Sequence, residues 1–90
     1  AEQFAEHRSR EKLEAKLRSL TPREKEILVL VTEGLPSQNI ARRLGMSVKT
    51  VDVHRARIKS KTEADSVNTL VRDILRLRPQ ISTDAGPASR

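Results

Sequence analysis

The amino-acid sequence predicts an all-α domain, and three observations support that fold class. Residues that favour helix N-caps precede four segments, at Thr21, at Ser37, at Ser47 and at either Asp65 or Ser66. Within these segments the apolar residues recur every three or four positions, which is the period of an α-helix. No segment shows the strict alternation of a strand, and the sequence has no internal repeat.

Length and composition limit the protein to a small aliphatic core. Its 90 residues suit one domain, 36% of them are hydrophobic, and Phe4 is the single aromatic residue. Cysteine is absent, which excludes disulfides and a cysteine zinc site. No apolar run approaches the roughly 20 residues of a membrane span, so we expect a cytoplasmic protein with no membrane partner and no cofactor. The sequence starts at Ala1 without methionine, and we expect a fragment of a longer protein.

Residues 1–19 precede the domain and alternate acidic and basic side chains. Pairs four residues apart, such as Glu14 and Arg18, favour a helix. The apolar stripe is thin, and an isolated helix of this length is marginally stable in water. We therefore predict a solvent-exposed helical linker, with a short coiled-coil dimer element as the alternative.

The predicted domain spans residues 20–78 and opens with a strong helix start. Thr21 is the N-cap, Pro22 occupies the first helical position, and Glu24 completes a capping box. The helix ends at Gly34, and its core residues are Ile27, Leu28, Leu30 and Val31.

The next two helices are separated by a very short turn. Ser37 is expected to cap a short helix whose Ile40, Ala41 and Leu44 face inward, and Gly45-Met46 leads to Ser47. The second helix, 48–61, has one narrow face for burial, formed by Val48, Val51, the stem of Arg55, and Ile58. A short helix, a glycine turn and a basic helix give the outline of a helix-turn-helix.

The last helix carries more apolar residues than one core face needs: Val67, Leu70, Val71, Ile74 and Leu75. Pro79 ends it. Residues 79–90 are predicted to be a disordered tail.

The positive charge of the protein is concentrated on the helix pair. Residues 42–61 contain seven Lys or Arg residues and one acid, a net charge of +6, and the whole chain also carries +6. Such a local excess is typical of proteins that bind polyanions, and an α-helix fits the major groove of DNA. Basic faces also suit membrane surfaces and acidic proteins.

Several motifs together resemble the LuxR/FixJ-type DNA-binding domain over about residues 20–77. They are Leu20-Thr21-Pro22-Arg23-Glu24, the Gly34 turn, Ile40-Ala41, Leu44, and the run from Ser47 to His54. The segment Thr50–Ala56 and the charged helix before the domain are most similar to the output domains of FixJ/NarL-type response regulators. The resemblance implies a four-helix LuxR-type fold, a transcription regulator that binds double-stranded DNA as a homodimer, and an N-terminal receiver domain absent from this sequence.

Two positions depart from the usual pattern of that family. Ser37-Gln38-Asn39 stands where Asn-Lys-Glu is usual, so a basic phosphate contact is lost. Thr62 stands where Leu or Met is usual, which is expected to weaken packing at the end of the basic helix.

Helical geometry assigns roles along 48–61 once Val51 and Ile58 face the core. The opposite face then carries the predicted base contacts Lys49, Asp52, Val53 and Ala56. Lys49 can donate to guanine, Asp52 can accept from cytosine N4, and the small apolar pair suits thymine methyls.

The other predicted contacts are to phosphate and to a second copy. The phosphate contacts are Ser37, Gln38, Ser47, Thr50, His54, Arg57, Lys59 and Lys61. Dimerisation is assigned to Val67, Leu70, Val71 and Ile74, following the family resemblance. No nucleophile–base pair or phosphate-binding glycine loop is present, so we predict no enzyme. A helical module that binds an acidic protein through its basic face is the alternative function.

Overall fold

The computed structural model describes residues 2–81, apart from the side chains of residues 2–4 and 6, and this range contains five α-helices and no strand. The all-α prediction is confirmed. The helices are α1 (Glu2–Leu17), α2 (Pro22–Thr32), α3 (Ser37–Leu44), α4 (Val48–Thr62) and α5 (Val67–Leu77). Helix α4 lies at the centre, because each of the other four helices packs against it. None of the five is long and apolar enough to cross a membrane.

The predicted capping box at the start of α2 is confirmed by both of its hydrogen bonds. The Glu24 amide donates to Thr21 Oγ1 at 3.1 Å, and the Thr21 amide donates to Glu24 Oε1 at 2.9 Å. Pro22 occupies the first turn, where no helical partner exists for a backbone N–H. At α5 the structure decides between the two candidate caps, since Ser66 Oγ accepts from the Thr69 amide at 3.0 Å.

The predicted N-cap of α3 is wrong by one residue. Pro36 occupies the cap position in an extended conformation, and Ser37 is already helical. Proline suits this position because its fixed φ directs the chain into the helix, although its side chain accepts no hydrogen bond from the first turn. Gly45 caps the C-terminal end of α3, and its φ of 69° lets the Met46 amide reach the Ala41 carbonyl oxygen at 2.9 Å.

The buried face of α4 is largely the predicted one. Val51 and Ile58 are both 0% exposed. Val48 was expected beside them but is 39% exposed. It lies three residues before Val51, and because each residue of an α-helix rotates by about 100°, its side chain points about 60° away from that of Val51. Thr62 is also buried and donates to the Ile58 carbonyl oxygen at 2.7 Å, so its hydroxyl is satisfied within the helix.

Helix α1 is not the solvent-exposed linker that its composition predicted. Leu13 and Leu17 are buried in the same core as the rest of the domain. Arg10 Nε donates to the Leu77 carbonyl oxygen at 2.7 Å, so α1 also closes the C-terminal end of α5. The thin apolar stripe is sufficient because α4 and α5 both contact α1. The second half of α1 therefore belongs to the folded domain.

The start of the predicted disordered tail is also placed against the domain. The Gln80 amide donates to Glu14 Oε2 at 2.8 Å, and Ile81 packs at the edge of the core. These contacts place Gln80 and Ile81 against α1 and the core, while the disorder of 79–90 stays a prediction. Residues 82–90 lie outside the described range, and for them the tail stays a prediction.

A pair of leucine truncations tests the placement of α1. Leu17 is 1% exposed and Leu75 is 53% exposed. We expect Leu17→Ala to lower the free energy of unfolding by about 2–5 kcal/mol, as for other buried leucines. Leu75→Ala, the matched control, should change it by only about 0.5 kcal/mol. Urea denaturation of both variants measures the difference, and equal losses would contradict a buried α1.

Candidate nucleic-acid interface

The four predicted base contacts lie together on the outer face of α4. Lys49, Asp52, Val53 and Ala56 are all exposed, and their spacing of three, four and seven residues places them on one side of the helix. That side points away from the core residues Val51 and Ile58. The surface offers a cationic donor, an anionic acceptor and two small apolar groups within two helical turns.

The N-terminal end of α4 is closed by its own hydroxyl groups. Ser47 Oγ accepts from the Thr50 amide at 3.0 Å and lies 2.9 Å from Thr50 Oγ1. Both residues are exposed. The cap therefore keeps two hydroxyl groups at the surface beside Lys49, as the prediction of phosphate contacts requires.

A side-chain hydrogen bond joins α3 to the outer face of α4. Ser37 Oγ donates to Asp52 Oδ1 at 3.2 Å. Gln38 is exposed next to it, in the first turn of α3. Two predicted phosphate contacts and one predicted base contact thus meet where the two helices come together.

Farther along α4 the predicted phosphate contacts divide into two groups. Arg57 and Lys59 are exposed and free to meet solvent. His54 is partly buried, and its Nδ1 is buried without a hydrogen-bond partner among the described residues. Nε2 is then the nitrogen that can contact an outside group.

Lys61 has a structural role that the sequence analysis missed. Its Nζ lies 2.9 Å from Oε1 of Glu24, which is only 2% exposed. This pairing directs the ammonium towards the start of α2, in contrast to the predicted phosphate contact. Burial acts to raise the pKa of Glu24, but the hydrogen bonds from Lys61 and Thr21 outweigh it and hold the pKa below its ordinary value.

One exposed residue on α4 was missed as a candidate contact. Val48 borders the outer face, one turn before Asp52, whereas the sequence pattern predicted it to be in the core. The sequence feature that could have indicated its exposure is its position directly after the cap Ser47, because the first residue of a helix often projects beyond the packed face.

The predicted dimer residues on α5 differ sharply in exposure. Leu70 and Ile74 are 3% and 7% exposed and belong to the core. Val67 and Val71 are partly buried, and Leu75 is 53% exposed. The accessible apolar stripe is therefore Val67, Val71 and Leu75, spaced four residues apart. Leu70 and Ile74 serve the core, and the dimer contact itself stays a prediction.

The short helix α3, the turn at Gly45 and the basic helix α4 define a helix-turn-helix DNA-binding domain. The profile of the bacterial regulatory proteins of the luxR family, GerE, matches residues 18–73, and the chain belongs to this family. The predicted resemblance and fold are thereby confirmed.

Curated relatives are transcriptional regulators. The chain is 43% identical over 60 residues to the transcriptional regulatory protein FixJ of Rhizobium meliloti (strain 1021), covering 67% of this chain and 29% of FixJ. It is 41% identical over 69 residues to the C4-dicarboxylate transport transcriptional regulatory protein DctR of Rhodobacter capsulatus, covering 77% and 35%. It is 44% identical over 57 residues to the nitrate/nitrite response regulator protein NarL of Escherichia coli (strain K12), covering 57% and 26%.

The chain thus spans about a third or less of the length of these relatives. No solved structure matches it significantly. Its similarity is to the DNA-binding part of transcriptional regulators, of the type that response regulators carry as an output domain.

The Glu24–Lys61 pair generates a prediction about pH. A carboxylate whose pKa is lowered by folding stabilises the protein above its ordinary pKa and loses that contribution as the pH falls through the folded value. We expect Glu24→Gln to lower the free energy of unfolding by about 1–3 kcal/mol at pH 7. The loss should shrink as the pH falls below the ordinary value of 4.5.

Glu26→Gln is the matched control, because Glu26 is exposed and, among the residues that the structure describes, pairs with Arg23 on the same helix. Denaturant unfolding at pH values from 7 to 3 measures the free energy of unfolding of the parent and of both variants. A loss of stability from Glu24→Gln that is the same at every pH would contradict the assignment.

Proposed function

We propose that this domain binds a specific duplex sequence by placing α4 in the major groove, as the output domain of a two-component response regulator. The observation that carries the proposal is the mixed chemistry of the outer face of α4. A surface that bound acidic partners by charge alone would not need Val53, which is 43% exposed, between its charged groups. Membership in the luxR family of regulatory proteins also favours DNA over an acidic protein as the partner.

Each residue of the outer face has a matching group on a base edge. Lys49 donates to guanine O6 or N7, and Asp52 accepts from an amino group such as cytosine N4. Val53 and Ala56 contact thymine methyl groups. Val48, at the border of this face, adds a further apolar contact.

Phosphate contacts position the helix without reading sequence. We assign them to Gln38, Ser47, Thr50, His54, Arg57 and Lys59, all of which keep accessible surface around the outer face of α4. The backbone amides at the start of α3 lack a capping side chain and are further donors for a phosphate.

We also propose that two copies bind an inverted repeat, because one such unit reads only a few base pairs. The stripe Val67, Val71 and Leu75 on α5 is the contact between the copies. Three side chains supply a few kcal/mol at about 25 cal/mol per Å2, before association costs. The free domain is then mostly monomeric, and DNA or a phosphorylated receiver domain brings two copies together. Bacterial chromosomal DNA lies in the cytoplasm, where we place the protein.

Selection of bound duplexes from a random pool tests the proposal, and the selected site then tests Lys49. We expect Lys49→Ala to weaken binding by about 1–3 kcal/mol through loss of discrimination at one guanine. Lys12→Ala, an exposed lysine on α1, is the matched control and should bind like the parent. Failure to enrich any sequence at low salt would overturn the proposed function, and a uniform loss across sequences would reassign Lys49 to phosphate.

The dimer contact is tested by Leu75→Glu, which places a charge in an exposed position of the stripe. We expect this variant to bind a single half-site with the affinity of the parent but to lose two-copy occupancy of the inverted repeat at matched concentration. Ala15→Glu adds the same charge to α1 and should behave like the parent. Sedimentation of the protein–duplex complexes gives the stoichiometry, and a fully occupied repeat with Leu75→Glu would contradict the assignment of α5.

A further inference from the structure

Ser37 and Asp52 form a polar link between the two helices of the helix-turn-helix. The Ser37 hydroxyl lies in the first turn of α3, and the Asp52 carboxylate lies in the second turn of α4. The Oγ–Oδ1 distance of 3.2 Å is a hydrogen bond from a neutral donor to a charged acceptor. The bond reaches the face of α4 to which base contacts are assigned.

Ser37 is available for this bond because it does not cap its own helix. The cap position belongs to Pro36, and no side chain accepts from the amides of the first turn. A serine at the cap would direct its hydroxyl back to those amides, as Ser47 does at α4. One residue inside the helix, the hydroxyl instead points across to α4.

The proton count of the hydroxyl decides between two roles for Ser37. A serine hydroxyl has one proton to donate, whereas both a carboxylate and a DNA phosphate can only accept. While Ser37 donates to Asp52, it has no proton for a phosphate. The predicted phosphate contact of Ser37 and the observed bond therefore exclude each other.

The bond restricts a side chain that otherwise has little to hold it. Asp52 is exposed, and an exposed carboxylate turns freely about its side-chain torsions. The bond to Oδ1 selects one arrangement and leaves Oδ2 available for a donor outside the protein. An acceptor held in place distinguishes an amino group from a carbonyl on a base edge better than a rotating one does.

We propose that Ser37 is a positioning residue for base recognition: it holds the Asp52 carboxylate in place to accept from the amino group of a cytosine or adenine in the major groove. The inference rests on the proposed function and deepens it. Ser37 adds little to overall affinity and contributes discrimination at the single base pair that Asp52 reads.

The test measures affinity for the four base pairs at each position of a selected duplex. Ser37→Ala should reduce discrimination about two- to tenfold at one position, the position that Asp52→Ala also affects. Ser37→Thr keeps a hydroxyl and should restore the preference. Ser19→Ala removes an exposed serine hydroxyl that donates to the Lys16 carbonyl oxygen at the end of α1. This control variant should keep the base preference of the parent at every position.

The double variant Ser37→Ala, Asp52→Ala separates positioning from other roles. If Ser37 acts through Asp52, removing Ser37 adds no further loss of discrimination once Asp52 is absent. An equal loss in both backgrounds, or a uniform loss across all base pairs, would overturn the inference in favour of a phosphate or structural role.

The remaining outcomes are equally decisive. If Asp52→Ala leaves every preference unchanged while the parent protein still selects a sequence, the inference fails and the proposed function stands. If the parent selects no sequence, the proposed function fails and the inference fails with it.

Discussion

The packing of α4 among the other four helices is the constraint on which the rest of the structure depends. Val51 and Ile58 are fully enclosed, and Thr62 is enclosed at the end of the same face. Because an α-helix is rigid, fixing this face also fixes the direction of every other side chain on α4. A register error of one residue would turn the helix by about 100° and bring Asp52 towards the core. The contacts that stabilise the domain are therefore the same contacts that orient the proposed reading surface.

Glu24 extends this constraint to the axial position of α4. One carboxylate closes the capping box of α2 and also holds Lys61, near the C-terminal end of α4. Sliding of the two helices along each other would take from the buried Glu24 carboxylate one of its hydrogen-bond donors, the Lys61 ammonium. Lys61 also shows that net charge overstates the basic surface available to a polyanion, since one of the seven bases counted there serves the fold.

Local signals predicted much of this structure, apart from the cap of α3 and the exposure of Val48, and the larger errors come from long-range contacts. The capping box at Thr21 and the burial of Val51 and Ile58 depend on residues within a few positions of each other, so the sequence revealed them. The bond from Arg10 to Leu77 spans 67 positions, and no helical period indicates it. The same holds for Lys61 and Glu24, which are 37 positions apart. The individual base and phosphate contacts stay predictions, because their partners are not part of the chain.

The large hydrophobic residues that remain exposed lie outside the core that stabilises the domain. Among the side chains that the structure describes they are Val48, Val53 and Leu75, two on α4 and one on α5. A core of this size is closed without them, so their removal leaves folding nearly intact, whereas Val51, two residues from Val53, is fully enclosed. Their positions coincide with the two faces to which we assign DNA and a second copy. A single exposed apolar side chain is ordinary on a protein surface, so it is the spacing of Val48 and Val53 along the outer face of α4, and of Leu75 with Val67 and Val71 along α5, that agrees with the two proposed contacts.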